Sequence, residues 1–155
     1  MSQKIIDTPL GKFLLLTSGK KIISFRPAKG KLKEKSDKFT ESIVRDIELY
    51  FKGKKVDFKK YELKMDKFTP FERKVLETLR KLDFGEIITY KELARRAGYP
   101  KAFRAVGNVL HKNPWFIIVP CHRIIKSDGS LGGFALGTPI KKWLIEHEKK
   151  VLEKA

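Results

Sequence analysis

The spacing of apolar residues changes once along this chain, near residue 65, and that change limits the possible architecture more than any other feature. Before it the pattern is mostly that of strands. GKFLLLTSGKKIISFRP (11–27) is two β-rich runs around TSGKK, a hairpin signal, and residues 1–36 read mainly as strands. A polar loop, KGKLKEKSDK (29–38), precedes FTESIVRDIELYFKGK, where Phe39, Ile43, Ile47 and Phe51 recur at helical spacing. KVDFKKYELKM (55–65) alternates, as a strand or an extended linker does. After residue 65 helix starts dominate. TPFE (69–72) is a capping box with proline at the first helical position, and Phe71, Val75, Leu76 and Leu79 follow as one stripe ending near Leu82. TYKE (89–92) repeats the box and opens a short helix stopped by Gly98. A further helix follows a tight turn in YPKAFRAVGNVLHKN, and GTPIKKWLIEHEKK opens a last one, with Thr138 as N-cap and Pro139 at the first helical position. The expected fold is α+β. Residues 1–65 form a small N-terminal domain of short antiparallel sheet plus helix, and residues 66–155 a mostly helical domain with a helix-turn-helix.

A chain of 155 residues with 41% apolar content can bury a proper core without staples. Its one cysteine excludes an intrachain disulfide and any cysteine-rich zinc site. No metal or other cofactor is expected. No run approaches the roughly 20 apolar residues of a membrane span, and the start lacks the apolar core of a signal peptide, so a cytoplasmic protein without membrane contact is expected. The net charge of +17 favours a polyanionic partner. A lysine-rich thermophile surface reads equally well, because Gln3, Asn108 and Asn113 are the only amides.

Two short helices, 89–97 and 101–112, make a helix-turn-helix candidate. On the second, Phe103, Val106 and Leu110 share one face, while Lys101, Arg104, Asn108 and His111 lie opposite. Ala102, Ala105 and Gly107 keep this helix thin enough to press close to a nucleic-acid groove, although an ordinary amphipathic helix with a solvated basic face fits the same pattern. IIVPCHRIIKSDGS (117–130) holds the cysteine, Cys121, directly before His122. A thiol attacks as the thiolate, and a nearby histidine can take its proton. Neighbours on a regular strand point to opposite faces, so the pair would work through a bridging water, with Glu146 or Glu148 as support for the histidine. A lone cysteine after an apolar run is also commonly a small buried hydrophobe.

Together these residues resemble the O6-alkylguanine-DNA alkyltransferases, also called methylated-DNA–protein-cysteine methyltransferases. PCHRI (120–124) matches the family signature, and TYKELARRAG, RAVGNVLHKNP, FIIVP, SDGSLGGF and IKKWLIEHE match in order and spacing over about residues 66–150. The resemblance implies direct-reversal repair, with irreversible transfer of the alkyl group from O6-alkylguanine, or from O4-alkylthymine, to Cys121. It implies a monomer acting on double-stranded DNA, one transfer per molecule and no cofactor. By position, Cys121 matches the acceptor, His122 its water-mediated base, Glu148 the partner of that base and Asn113 the hinge asparagine. Tyr90 matches the phenol that meets guanine N3. Main-chain groups of Cys121, Ile124 and Ala135 match those that line the guanine pocket, and Phe134 stands there in place of a tyrosine found in several members, without its hydroxyl contact. Arg104 matches the finger that fills the vacated base position, with Lys101, Ala105, Gly107, Asn108 and His111 on the same DNA-facing helix. The competing expectation is a non-catalytic protein that recognises alkylated DNA. Relatives of that kind lack the acceptor cysteine.

Overall fold

The protein is described over residues 1–155 by a computed structural model. It divides into two compact units, Met1–Asp66 with Pro114–Ile118, and Lys67–Asn113 with Val119–Ala155.

In the first unit β1 (Ser2–Thr8), β2 (Gly11–Ser18) and β3 (Lys21–Pro27) run antiparallel in sequence order. Alternation along β2 buries Phe13, Leu15 and Thr17, as expected for a strand with one face in the core. α1 (Lys38–Phe51) starts at Asp37, whose carboxylate accepts the Thr40 N–H at 2.8 Å and is held below the usual carboxylate range by its bonds to Thr40. Its buried stripe is Thr40, Ile43, Val44, Ile47 and Tyr50, so Phe39 and Phe51 sit at the edge of the stripe rather than in it. The Thr17 and Thr40 hydroxyls satisfy each other at 2.8 Å where helix meets sheet. The alternating segment 55–65 resolves into a 3-10 turn, Phe58–Lys60, and a two-residue strand, β4 (Glu62–Leu63). β4 pairs parallel with β3, so the sheet is mixed and not purely antiparallel. α1 lies in the connection between these two strands, as a parallel pairing requires.

Pro114–Ile118 completes this unit's core. The Trp115 indole is 0% exposed and donates to the Ile22 carbonyl at 3.0 Å. Phe25 N donates to Pro114 O and Phe116 N to Phe25 O, while the Phe116 ring stacks on Phe13 at 4.4 Å.

The second unit holds α2 (Pro70–Arg80), β5 (Ile88–Thr89), α3 (Tyr90–Arg96), α4 (Phe103–His111), β6 (Ile124–Ile125) and α5 (Thr138–Lys154). β5 and β6 form a short parallel pair, Ile88 opposite Ile124. The capping box at α2 is complete: Thr69 accepts from Glu72 N at 3.1 Å, and Glu72 accepts from Thr69 N at 3.0 Å. The box at α3 is half made. Thr89 accepts from Glu92 N, but the Glu92 carboxylate turns to Arg95 and Arg96, whose stronger charge-assisted bonds hold it at a pKa of about 2. At α5 the N-cap is Gly137 at φ 97°, with no side-chain cap, and Thr138 is the first helical residue rather than the cap. α4 buries Val106, Val109 and Leu110, and Phe103 stays partly exposed. No helix is long and apolar enough to cross a membrane.

Candidate active site and nucleic-acid interface

Cys121 lies in a single 3-10 turn, Cys121–Arg123, that follows Pro120 and leads directly into β6. This turn replaces the strand geometry that would have sent Cys121 and His122 to opposite faces. Cys121 lines a small cleft with Tyr90 from α3, Leu110 and His111 from α4, and Gly133, Phe134 and Ala135 from the loop before α5. Burial pushes the thiol up to about 11, against the lowering effects of the Asn113 hydrogen bond and the Lys141 charge. At neutral pH the sulfur is protonated and needs a base. Asn113 also donates to Val119 O at 2.9 Å, which fixes the chain just before Pro120.

His122 is 1% exposed, and burial lowers its pKa, so the ring is neutral at pH 7. Its Nε2 lies 2.5 Å from Glu148 Oε2. Burial would raise the Glu148 carboxyl, but the His122 and Arg123 interactions outweigh it and hold the group well below the usual range. Arg123 donates from Nε to Oε1 at 2.8 Å and from Nη2 to Oε2 at 3.1 Å, and Gly85 N donates to Oε1 at 2.9 Å. An ionised carboxylate only accepts, so His122 Nε2 carries the proton. The Nδ1 lone pair is then free, and Nδ1 is buried with no protein partner. Nδ1, the nitrogen that Glu148 does not touch, is thus the ring atom open to accept a proton.

Tyr90 closes one side of the cleft, its hydroxyl 3.4 Å from Gly133 O. Burial, and then the nearby Cys121 charge, raise its pKa, so the phenol stays a donor. Gly132, at φ 73°, lies so close to this ring that a Cβ would meet Tyr90 Cε2 and the hydroxyl at 3.1 Å. Ile124 is buried and occupied by its pairing with Ile88, and its N–H returns to Cys121 O, so its side chain is not among the groups lining the cleft.

On α4, Arg104, Ala105, Asn108 and His111 are exposed together, with Lys101 exposed in the turn before the helix. Gly107 lies over the Tyr90 ring, where a Cβ would come within 3.8 Å of it. His111 belongs to both regions: it lines the cleft and sits against Gly133. Two groups escaped the sequence reading. Arg123, in sequence only one letter of the PCHRI motif, neutralises Glu148. Lys141 reads as one more surface lysine but is 0% exposed, its Nζ 2.6 Å from Leu131 O. The available signal was its place beside Leu144 and Glu148 at i, i+3, i+7.

A lone thiol beside a buried His–Glu pair, next to an exposed basic helix, fits a cysteine-nucleophile protein with a nucleic-acid-facing surface. Residues 70–150 match the family model described as the DNA-binding domain of 6-O-methylguanine DNA methyltransferase, and residues 1–65 the one described as its ribonuclease-like domain. A methylated-DNA–protein-cysteine methyltransferase of Methanosarcina barkeri is 38% identical over 98% of this chain and 99% of its own length. The crystal structure of Mycobacterium tuberculosis O6-methylguanine methyltransferase superposes with a TM-score of 0.84 at 32% identity, covering 96% of this chain and 93% of that one. A complex of the M. tuberculosis protein with DNA superposes equally well, at 0.84 and 32%, covering 97% and 94%. The chain belongs to the 6-O-methylguanine DNA methyltransferase family.

Proposed function

We propose that this protein performs direct-reversal DNA repair, transferring the alkyl group of O6-alkylguanine in duplex DNA to Cys121. α3 and α4 act as a helix-turn-helix, with α4 in the minor groove and Arg104 filling the space left by the extruded base. The DNA-facing role of α4 is supported by the exposed Arg104, Ala105, Asn108 and His111, with Lys101 exposed in the turn before it. The flipped guanine enters the cleft beside Cys121, where Tyr90 donates to N3 and main-chain groups of Cys121, Ile124 and Ala135 frame the base. The thiol proton passes through a water to His122 Nδ1, and Glu148 stabilises the imidazolium that forms. The sulfur then attacks the alkyl carbon in line. The S–C bond forms as the C–O6 bond breaks, and the electron pair leaves on guanine, whose charge the hydrogen bonds stabilise. The thioether product is stable, so each molecule acts once.

The observation that carries this reading is the His122 ring, neutral, held by Glu148 at Nε2 and unpaired at Nδ1, one residue from the only cysteine. The test is intact mass after incubation with duplex DNA containing O6-methylguanine. One methyl group should appear per protein and stay at one under excess DNA, and Cys121→Ser should bind the DNA but gain nothing. Repeated turnover without added thiol would overturn the proposal.

A further inference from the structure

Residues 29–38, in the first unit, carry five lysines and two acids, a net of +3 in ten residues against +17 in 155 for the whole chain, so charge is concentrated there about threefold. The segment is fastened along β1, the edge strand of the four-stranded sheet. Gln3 N donates to Lys35 O at 2.8 Å, Lys35 N to Gln3 O at 3.1 Å, and Gln3 Nε2 to Lys33 O at 2.5 Å. The carboxylates nearby in sequence are already engaged. Glu34 pairs with Lys4 at 2.9 Å, Asp37 caps α1 and accepts from Ser2 Oγ, and Glu41 accepts from Ser36 Oγ at 2.6 Å. Lys29, Lys31, Lys33 and Lys35 are exposed, and none of them forms an ion pair. Side chains alternate along an extended run, so Lys31, Lys33 and Lys35 share one side, while Glu34, with its partner Lys4, takes the other. The result is a row of free ammonium groups on a backbone that the sheet holds in place.

We propose that this lysine row is a second DNA-contact surface, one that α4 does not supply, and that it takes the phosphates of undamaged duplex without regard to sequence. This rests on DNA being the partner, as in the repair reading, but not on the chemistry at Cys121. Lysine is a point charge on a flexible stem, suited to phosphate and carrying no bidentate geometry for a base edge. Each ammonium that meets a phosphate releases a counterion, which gives affinity that depends on salt and not on sequence. The rival use of lysines at a sheet edge is to deter pairing with a strand of another chain, and that use predicts no effect on DNA.

The test compares the full-length wild type with two triple variants. One carries Lys31→Gln, Lys33→Gln and Lys35→Gln. The other carries Lys52→Gln, Lys54→Gln and Lys55→Gln, three exposed lysines of the same unit, for an equal change in net charge. All six side chains are exposed, so the fold should persist. Binding to an undamaged duplex is titrated from 50 to 200 mM salt. With one phosphate per lysine, the slope of log K against log salt should fall by about 0.9 for each, roughly 2.7 for the row. Wild type should then lose about 40-fold more affinity across that range than the Lys31, Lys33 and Lys35 variant. The matched variant should keep the wild-type slope. Equal slopes in all three proteins would overturn the proposal and leave the row as a guard on the sheet edge. Equal drops in both variants would also overturn it, because net charge and not this row would be responsible. Methylation of Cys121 by free O6-methylguanine base is read in parallel and should be the same in all three, since the base brings no phosphate. A slope that falls only in the Lys31, Lys33 and Lys35 variant, with no methyl transfer by any of the three, would sink the repair reading and leave the lysine row standing.

Discussion

Glu148→Gln should cost this protein more in stability than any exposed substitution, because of what it leaves behind. Both Glu148 oxygens are fully used, Oε1 by Arg123 Nε and Gly85 N, and Oε2 by His122 Nε2 and Arg123 Nη2. Glutamine offers one acceptor oxygen and an amide that points donors at donors. The buried Arg123 guanidinium then lacks its counter-charge, although Nη1 still reaches Leu82 O at 3.2 Å. Breaking a buried ion pair from one side costs about 3–5 kcal/mol. At roughly 2–4 °C per kcal/mol for a chain of this size, the melting temperature should fall by about 6–20 °C. Urea unfolding at pH 7 measures the loss directly. A double-mutant cycle with Arg123→Met isolates its cause. The double variant has no orphan charge, so it should be more stable than the two single losses predict. The pH dependence carries a second sign. The Glu148 pKa is depressed in the folded state, so its contribution is fully present above the unfolded carboxylate value of about 4.3 and disappears as the pH falls through the folded value. The gap between wild type and Glu148→Gln should be level from pH 5.5 to 8 and shrink in acid. Strict additivity in the cycle would refute the argument that the carboxylate matters chiefly as the partner of Arg123.

Arg104→Ala should slow alkylation by duplex substrate far more than by a free alkylguanine base, because flipping a base costs a few kcal/mol and a free base skips that step; equal losses in the two Cys121 alkylation rates would make Arg104 merely structural. Affinity for DNA should fall steeply between 50 and 200 mM salt, given the +17 charge, and vary little with sequence, as a binding titration would show. Gly132→Ala, strained at φ 73° and pressing a methyl against Tyr90, should lose alkylation of both substrates and destabilise the fold by about 1–3 kcal/mol. Gly129→Ala, at φ 86° but facing open space, should keep its alkylation rate, and a comparable loss there would assign the Gly132 effect to backbone strain alone.

What could be read from the sequence was mostly what is local. The Thr69–Glu72 box stands because both of its bonds close within four residues. The Thr89–Glu92 box has the same spelling, but two arginines later in the same helix compete for the carboxylate, and motif spacing cannot rank those competitors. Strands β1 to β3 follow from alternation and turn residues, whereas β4 depends on a distant partner and left only a two-residue trace. At the site, the resemblance pointed to Cys121, His122 and Glu148. Lys141 and the role of Arg123 were hidden because periodicity locates a core by its apolar residues. The inward stripe of α5 is Lys141, Leu144 and Glu148, charged at two of three positions, so the pattern there points to the wrong face. Trp115 was invisible for a different reason. An apolar run beside the cysteine says nothing about which unit will bury it.

That run also limits how chains of this kind can recombine. A crossover near residue 66 joins the strands and first helix of one parent to everything downstream of the other. The first unit of the chimera then holds Phe13, Ile22 and Phe25 from one ancestor, but Trp115 and Phe116 from another. The stacked Phe13–Phe116 rings and the Trp115–Ile22 bond must fit across that seam. Parents whose side chains differ in bulk at these positions should give misfolded progeny from a cut that looks clean in the sequence. Exchange of the N-terminal unit is thus confined to recipients whose residues 114–118 already suit its core.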